Sequence, residues 1–379
     1  MPSAIQIDHL TKLGLPPCSK ANDKTQRPYI AKLEADDLAE LNSGLEFWKD
    51  GNNGAPASVS KDTFPLGKLA SRLEDLALNL HKGSGFAVLR GLDTKQFSAE
   101  DNMLIYLGIS SWVGSHRGAQ NKKRDMVTHI TDAKEWAKVP QEQRHGIHTN
   151  TALPFHNDMG CEILALQYRE VAKHGGATSV SSATTICAEL AADHPEVLQE
   201  LMTADWPVQL TAKPARFARL PVLAYHEGHV IISVDPGRLG LHPATAGIRD
   251  DGGCCDLTEA QIQALEVLAQ VAKKHAISIA AQPGDILFIN NLAMLHKRDA
   301  YTDAETRRHL VRLWLRNPEL AWEIPFEMKA PWKVAYGPVE EVGSFLVPQD
   351  RYQIVPEKEY KVPKYSSGSA AWLIDSDEM

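Results

Sequence analysis

Near the middle of the chain, Thr151-Ala152-Leu153-Pro154-Phe155-His156-Asn157-Asp158 sets an imidazole and a carboxylate two residues apart. In extended backbone the side chains alternate faces, so His156 and Asp158 point together while Asn157 points away. An imidazole and a carboxylate on one face are two thirds of the 2-His-1-carboxylate facial triad, which holds Fe(II) and leaves other coordination positions open. Spacing alone does not decide the matter, because the chain has 15 histidines and the pair His194 and Glu196 repeats it. That second pair has another explanation. Asp193-His194-Pro195-Glu196 reads as a helix start, with an Asp N-cap, Pro in the first turn and Glu three residues after the cap. Pro154-Phe155-His156 has no such logic.

A metal-binding pair needs a rigid frame, and the frame begins near Phe64. Leu66, Leu69, Leu73, Leu76 and Leu80 recur at the spacing of one helix face, and Gly83-Ser84-Gly85 ends that helix before the strand Phe86-Ala87-Val88-Leu89. These glycines are not a dinucleotide loop, since the third glycine position holds Val88 and the order is helix then strand. A second helix is expected over about 99–112. Beyond the dyad, Ile163-Leu164-Ala165-Leu166 reads as a buried strand, and Gly175-Gly176 as the turn into Ala177-Thr178-Ser179-Val180-Ser181. A helix is expected from about Asp193 to Met202, then a hairpin of Val222–Tyr225 and Val230–Ser233 around Glu227-Gly228. Thr258 and Gln261 make a capping box, Leu257 and Ile262 a hydrophobic staple, and Ile262, Leu265, Leu268 or Ala269, and Ala272 one apolar stripe. Ile277–Ala280, a turn at Gln282-Pro283-Gly284-Asp285, and the strand Ile286–Ile289 then deliver Asn290-Asn291 and Leu295-His296. The last clear strand is Arg308–Arg316. Many short strands with flanking helices predict a mainly β protein with a closed or two-sheet core.

Hydrophobic residues make up 43% and charged residues 23% of 379, ordinary for a globular protein with a sizeable core. Lys plus Arg is 40 against 48 for Asp plus Glu, a net charge of −8, which argues against the cationic face that nucleic acid requires. Five cysteines with no CxxC form neither a disulfide framework nor a thiolate zinc site. The start, Met1-Pro2-Ser3-Ala4-Ile5-Gln6-Ile7-Asp8, lacks the basic and apolar segments of a secretory signal, and no apolar run approaches the ~18 residues of a membrane span. A cytoplasmic protein with neither nucleic-acid nor membrane partner is expected.

In order along the chain, Phe155-His156-Asn157-Asp158, Gly175-Gly176-Ala177-Thr178, Pro283-Gly284-Asp285, His296 and Arg307-Arg308-His309-Leu310-Val311-Arg312 resemble the taurine dioxygenase-like family of Fe(II)- and 2-oxoglutarate-dependent oxygenases. The resemblance runs over roughly residues 64–316. It implies a double-stranded β-helix (jelly-roll) core with flanking helices in residues 63–316. Residues 1–62 would be an N-terminal extension wrapping the core, and residues 317–379 a C-terminal extension packed on it. It also implies Fe(II) held by His156, Asp158 and His296, with 2-oxoglutarate and O2 as co-substrates.

The residue chemistry can be read beside the resemblance. His296, on the turn after a buried strand, is the best placed third ligand, and neutral imidazoles with a carboxylate suit iron. 2-Oxoglutarate is a dianion whose distal carboxylate needs a planar, permanent cation, which Arg supplies. From Arg308 onward, Arg308, Leu310, Arg312 and Trp314 share one strand face while His309, Val311, Leu313 and Leu315 share the other. The second face looks like packing under an outer cover. The first then faces the interior, where two cations are costly unless anions meet them. By resemblance, Arg308 grips the distal carboxylate, Thr178 hydrogen-bonds the same group, and Arg312 lies near the co-substrate or the prime substrate. Counterparts of the residues with which the taurine enzyme holds its amine are lacking, so taurine is not the expected substrate.

The implied reaction oxidises an unactivated C–H bond of a small acidic or amino-acid-like substrate, by hydroxylation, desaturation, ring closure or C–N bond formation, with release of succinate and CO2. Two other classes fit part of the pattern: a metal hydrolase with the same three ligands on zinc, and a non-catalytic jelly-roll module that binds a small acid. The hydrolase leaves the inward arginines and Thr178 without a role. Homo-oligomerisation stays open.

Overall fold

Strands that are apolar on both faces need cover on both sides, and that requirement organises the molecule. The computed structural model describes residues 29–51, 54–121, 123–138, 140–212, 215–242, 245–247, 256–303, 305–337 and 350–356. Strand β1 (Ile30–Lys32) and helix α1 (Ala35–Asp50) come first, followed by α2 (Lys68–Lys82), β2 (Phe86–Arg90) and α3 (Ala99–Val113). Two short strands, β3 (His116–Arg117) and β4 (Val127–Ile130), precede β5 (Leu153–His156), which ends on the dyad's histidine. Next are β6 (Ile163–Glu170), β7 (His174–Gly175) and β8 (Thr178–Ser182), the helices α4 (Ala183–Asp193) and α5 (Pro195–Met202), and two hairpins. The hairpins are β9 (Trp206–Ala212) with β10 (Ala215–Leu220), and β11 (Leu223–His226) with β12 (His229–Ile232). Helix α6 (Glu259–Lys274) leads into β13 (Ile277–Ile279), β14 (Ile286–Asn290), β15 (Met294–Arg298), β16 (Tyr301–Thr302) and β17 (His309–Arg316), and α7 (Ala330–Tyr336) closes the described core.

The larger sheet has the order β1-β2-β14-β6-β17-β3, with β4 also beside β17, and the smaller has the order β13-β8-β15-β5. Between them Val88, Leu164, Leu166, Leu287, Leu310 and Trp314 of the larger sheet meet Val180, Ile279 and Met294 of the smaller. This is the expected jelly roll. The outer face of the larger sheet, including Val311, Leu313 and Leu315, lies under α1, α2 and α3 through residues such as Leu41, Leu73 and Leu107. β17 therefore alternates as its sequence predicts. Helices α4, α5 and α6 cover the other side, where Phe155 and Leu295 turn outward against Leu190, Leu198 and Leu268.

Several elements differ from expectation. Asp193 ends α4, and α5 starts at Pro195 with His194 as its N-cap. Helix α6 opens with both capping-box bonds between Thr258 and Gln261, but its buried face is Gln261, Ala264, Leu268, Val271 and Ala272, and Ile262 is 44% exposed. Small residues let that face approach its neighbours closely, which a count of apolar positions does not register. Part of the segment read as an N-terminal extension forms β1, paired in parallel with β2, and α1, whose Leu41, Leu45 and Trp48 lie in the core. Residues 1–28 and 357–379 lie outside the described residues. At the β11–β12 turn both Glu227 (φ 47°) and Gly228 (φ 82°) are left-handed, the type I′ geometry that suits a two-residue hairpin. Among the described residues, no helix is long and apolar enough to cross a membrane.

Candidate metal centre

The pairing of β15 with β5 sets His296 directly opposite His156, and the two rings stand 4.3 Å apart between centroids. Both Nε2 atoms lie 3.9 Å from Asp158 Oδ1, and the three ligating atoms all fall within 4.8 Å of one another. His156 gives its Nδ1–H to the Pro154 carbonyl at 2.8 Å, which leaves Nε2 facing the centre. Burial pushes His296 down to about 3, so it is a neutral ligand at working pH.

Asp158 is held from the opposite sheet. Its Oδ2 accepts from Arg312 Nη1 and from Trp314 Nε1, both at 2.9 Å, which leaves Oδ1 toward the histidines. Burial by itself would raise the carboxyl's pKa. Arg312, His296, His156 and the Trp314 N–H together outweigh it and hold the group below the usual carboxylate range. The donor set, two imidazoles and an ionised carboxylate with one oxygen already tied back, fits Fe(II).

Asn157 turns away, as an alternating backbone requires. Its amide donates to the Ile232 and Asn291 carbonyls, and its oxygen accepts from Val234 N. Asn291 completes the clasp: its oxygen accepts from Asp158 N at 2.9 Å and its amide donates to the Asp158 and Cys161 carbonyls. Helix α7 braces the same segment from behind, where Trp332 Nε1 donates to the Cys161 carbonyl.

The cleft beside the triad holds about 430 Å³ of space free of protein atoms and is lined by Ile130, Ile147, Leu164, Leu166 and Leu310 with Thr178, Arg298, Arg308 and Arg312. Arg308 is 2% exposed. Its Nη2 donates to the Gly176 carbonyl at 3.3 Å while Nη1 has no partner among the described residues. A side chain at Gly176 (φ 71°) would be strained, and its Cβ would stand a tight 3.1 Å from Arg308 Nε. Thr178 Oγ1 accepts from the Tyr168 hydroxyl at 2.8 Å.

A family model for "Taurine catabolism dioxygenase TauD, TfdA family" matches residues 52–314. The chain belongs to this family. It is a non-haem Fe(II)- and 2-oxoglutarate-dependent dioxygenase. A relative, the taurine hydroxylase-like protein SAT17 of Stachybotrys chartarum, is 32% identical over 308 residues, 79% of this chain and 78% of the relative. FR-33289 synthase of Streptomyces rubellomurinus is 27% identical over 273 residues, 68% of this chain and 76% of that one. The fold is shared with an asparagine oxygenase solved with Fe(II), 3-hydroxyasparagine and succinate (TM-score 0.58, 17% identity, 76% of this chain and 94% of that one). It is shared too with the non-heme iron oxygenase OrfP solved with Fe and alpha-ketoglutaric acid (TM-score 0.53, 16% identity, 76% and 93%).

In this dioxygenase the sequence-predicted residues His156, Asp158, His296, Thr178, Arg308 and Arg312 all line one cleft. His296 lies within β15 and not on a turn, because the turn is spent at 291–293. Arg312, expected beside the co-substrate or prime substrate, commits Nη1 to Asp158 and Nε to Gln120 Oε1 at 2.7 Å. Arg307 turns the other way and pairs with Glu135. Sequence reasoning missed Trp314 as a partner of Asp158, the Asn157–Asn291 clasp, Gln120 and Arg298. The signals were the Asn290-Asn291 pair after a buried strand and the place of Trp314 on the inward face of its strand.

Proposed function

We propose that this dioxygenase oxidises an unactivated C–H bond of a small amino-acid-like compound, using Fe(II) bound by His156, Asp158 and His296 and 2-oxoglutarate seated by Arg308 and Thr178. When bound, the iron with 2-oxoglutarate and O2 supplies the oxidising power, and succinate and CO2 are released. The observation that carries the reading is register. Arg298 lies opposite Thr178 and His296 opposite Val180, so the Thr178 row sits two residues, about 7 Å, along the strand from the ligand histidine. A five-carbon diacid spans that step from the metal to Thr178 and the bare Nη1 of Arg308. A buried cation with an unpaired donor is costly alone and favourable with a carboxylate.

The other residues of the cleft have defined tasks. Arg312 and Trp314 fix the Asp158 carboxylate so that Oδ1 faces the metal, and the apolar wall of Ile130, Ile147, Leu164, Leu166 and Leu310 keeps water from the reacting C–H bond. The co-substrate takes part of this cleft, which supports a small prime substrate. The hydroxyasparagine and hydroxyarginine bound in the fold relatives support the amino-acid-like class. A cytoplasmic setting fits chemistry that consumes 2-oxoglutarate.

The test is Fe(II)-dependent succinate release from 2-oxoglutarate in the presence of candidate amino acids, carboxylates and sulfonates, with product mass read alongside. Substrate-stimulated succinate with a product gain of one oxygen or loss of two hydrogens supports the reading. Turnover that survives in His156→Ala or Asp158→Ala removes those residues from the ligand set.

A further inference from the structure

Arg298 is the third guanidinium of the cleft, and nothing above gives it a role. It is 5% exposed, and its position opposite Thr178 on β15 and β8 aims it to the same face as His296 two residues earlier. One nitrogen, Nη2, donates to the carbonyls of Gly146 at 3.2 Å, Thr149 at 2.9 Å and Thr151. The other two, Nε and Nη1, are buried and have no partner among the described residues. Tyr301 lies between Arg298 and Arg308, with its ring centroid 5.1 Å from one guanidinium carbon and 5.2 Å from the other. No described carboxylate lies within ion-pair distance of either guanidinium. Two buried cations so close repel, and each keeps at least one buried nitrogen without a partner among the described residues. An anion that reaches both relieves repulsion and unpaired donors together.

We propose that Arg298 is a second cationic contact for the distal carboxylate of 2-oxoglutarate, and that its grip on the 146–151 carbonyls couples filling of the seat to the order of the segment leading into β5. The inference rests on the co-substrate seat proposed above. Arg298 is a positioning residue for the metal end, because it acts there only through the segment that carries His156. The 146–151 segment also holds the backbone of Tyr301 through Asn150, so both sides of the seat move with it.

The experiment titrates Mn(II)-loaded protein with two keto acids by calorimetry. 2-Oxoglutarate has the distal carboxylate; 2-oxobutyrate has the same chelating end without it. Arg298→Gln keeps a donor for the loop carbonyls and loses the charge. It is expected to weaken 2-oxoglutarate by about 10-fold or more and to leave 2-oxobutyrate within about twofold. In the wild type, 2-oxoglutarate should slow hydrogen exchange of the 146–151 amides, and in Arg298→Gln it should not. If Arg298→Gln does not fold, Arg298→Lys carries the comparison: it keeps a cation but loses the fork, and 2-oxoglutarate alone should weaken. Equal weakening of both keto acids makes Arg298 merely structural and overturns the proposal, as does undiminished 2-oxoglutarate binding. Arg308→Ala is measured in parallel. If it weakens 2-oxoglutarate while the Arg298 variants do not, only this inference fails; if neither matters, the seat is misplaced and both readings fall.

Discussion

Replacing Arg312 with Met keeps most of the side-chain volume and removes the guanidinium that holds Asp158 Oδ2 at 2.9 Å. In the apo protein the carboxylate is then buried with the Trp314 N–H and two imidazoles as its remaining neighbours. Breaking a buried ion pair from one side costs about 3–5 kcal/mol. With about 2.1 cal/mol/K of unfolding entropy per residue, a chain of 379 residues loses about 4–6 °C of apo melting temperature. Linkage adds a second readout. Asp158 is depressed in the folded wild type, so its stabilisation is present above the unfolded carboxyl value and is lost as pH falls through the folded one. Burial is the largest influence on this group and Arg312 the largest opposing one, so Arg312→Met moves the carboxyl upward. Metal ligands must be deprotonated. Mn(II) affinity in the variant should therefore fall at a higher pH than in the wild type, while saturating Mn(II) at neutral pH restores part of the lost melting temperature. Calorimetric melting of apo and loaded protein, with metal titrations across acidic pH, measures both. An apo melting point within about 1 °C of wild type, with an unchanged pH dependence of metal affinity, would refute the role given to this guanidinium.

Asn291→Ala strips the partners from Asp158 N and from two carbonyls; metal affinity should drop about 10–100-fold, and an unaltered Mn(II) titration would show that the clasp does not place the ligand. Gly176→Ala forces a left-handed backbone on a side chain and crowds Arg308, costing about 1–2 kcal/mol. It should weaken 2-oxoglutarate with little effect on Mn(II) alone, and equal losses would place the damage elsewhere. Burial pushes His129 down to about 4 and His148 and His309 to about 3, against about 6.5 for an unfolded histidine. Below about pH 6.5 the unfolded chain takes up protons that the fold refuses, so stability should fall toward pH 4 by up to about 1.4 kcal/mol per pH unit per histidine. His309→Gln, which can still donate to His129, should make that acid slope shallower in denaturant melts; an unchanged slope means that His309 already protonates in the fold.

The parts of the site that were legible follow from alternation. Arg308, Leu310, Arg312 and Trp314 face inward because Val311, Leu313 and Leu315 meet the helices, and the same rule sends Asn157 away from Asp158. Asp285 of the Pro-Gly-Asp turn takes Arg90 in a two-pronged pair at 2.9 and 2.7 Å, which gives that part of the resemblance a physical basis. What was hidden depends on contacts distant in sequence. Helix α1 carries Asn42-Ser43-Gly44 at its centre, poor helix formers, yet a Cβ at Gly44 would stand 2.7 Å from the Phe64 ring, so packing selects the glycine. Helix α4 begins Ala183-Thr184-Thr185-Ile186, which continues the β-branched character of β8, and the Ser182 cap marks the change of structure. Arg298 sits in Lys297-Arg298-Asp299, a stretch that reads as surface charge until its pairing with β8 turns it inward.

His156 and His296 belong to the smaller sheet, whereas the carboxylate of Asp158 is gripped by side chains rising from β17 of the larger one. An ion held by all three is thus a rivet through two plates, set at the mouth where β5 forms an edge. Occupancy and stiffness become one property of the entrance. Whatever wedges the plates apart loosens the rivet, and by reciprocity a seated rivet resists the wedge.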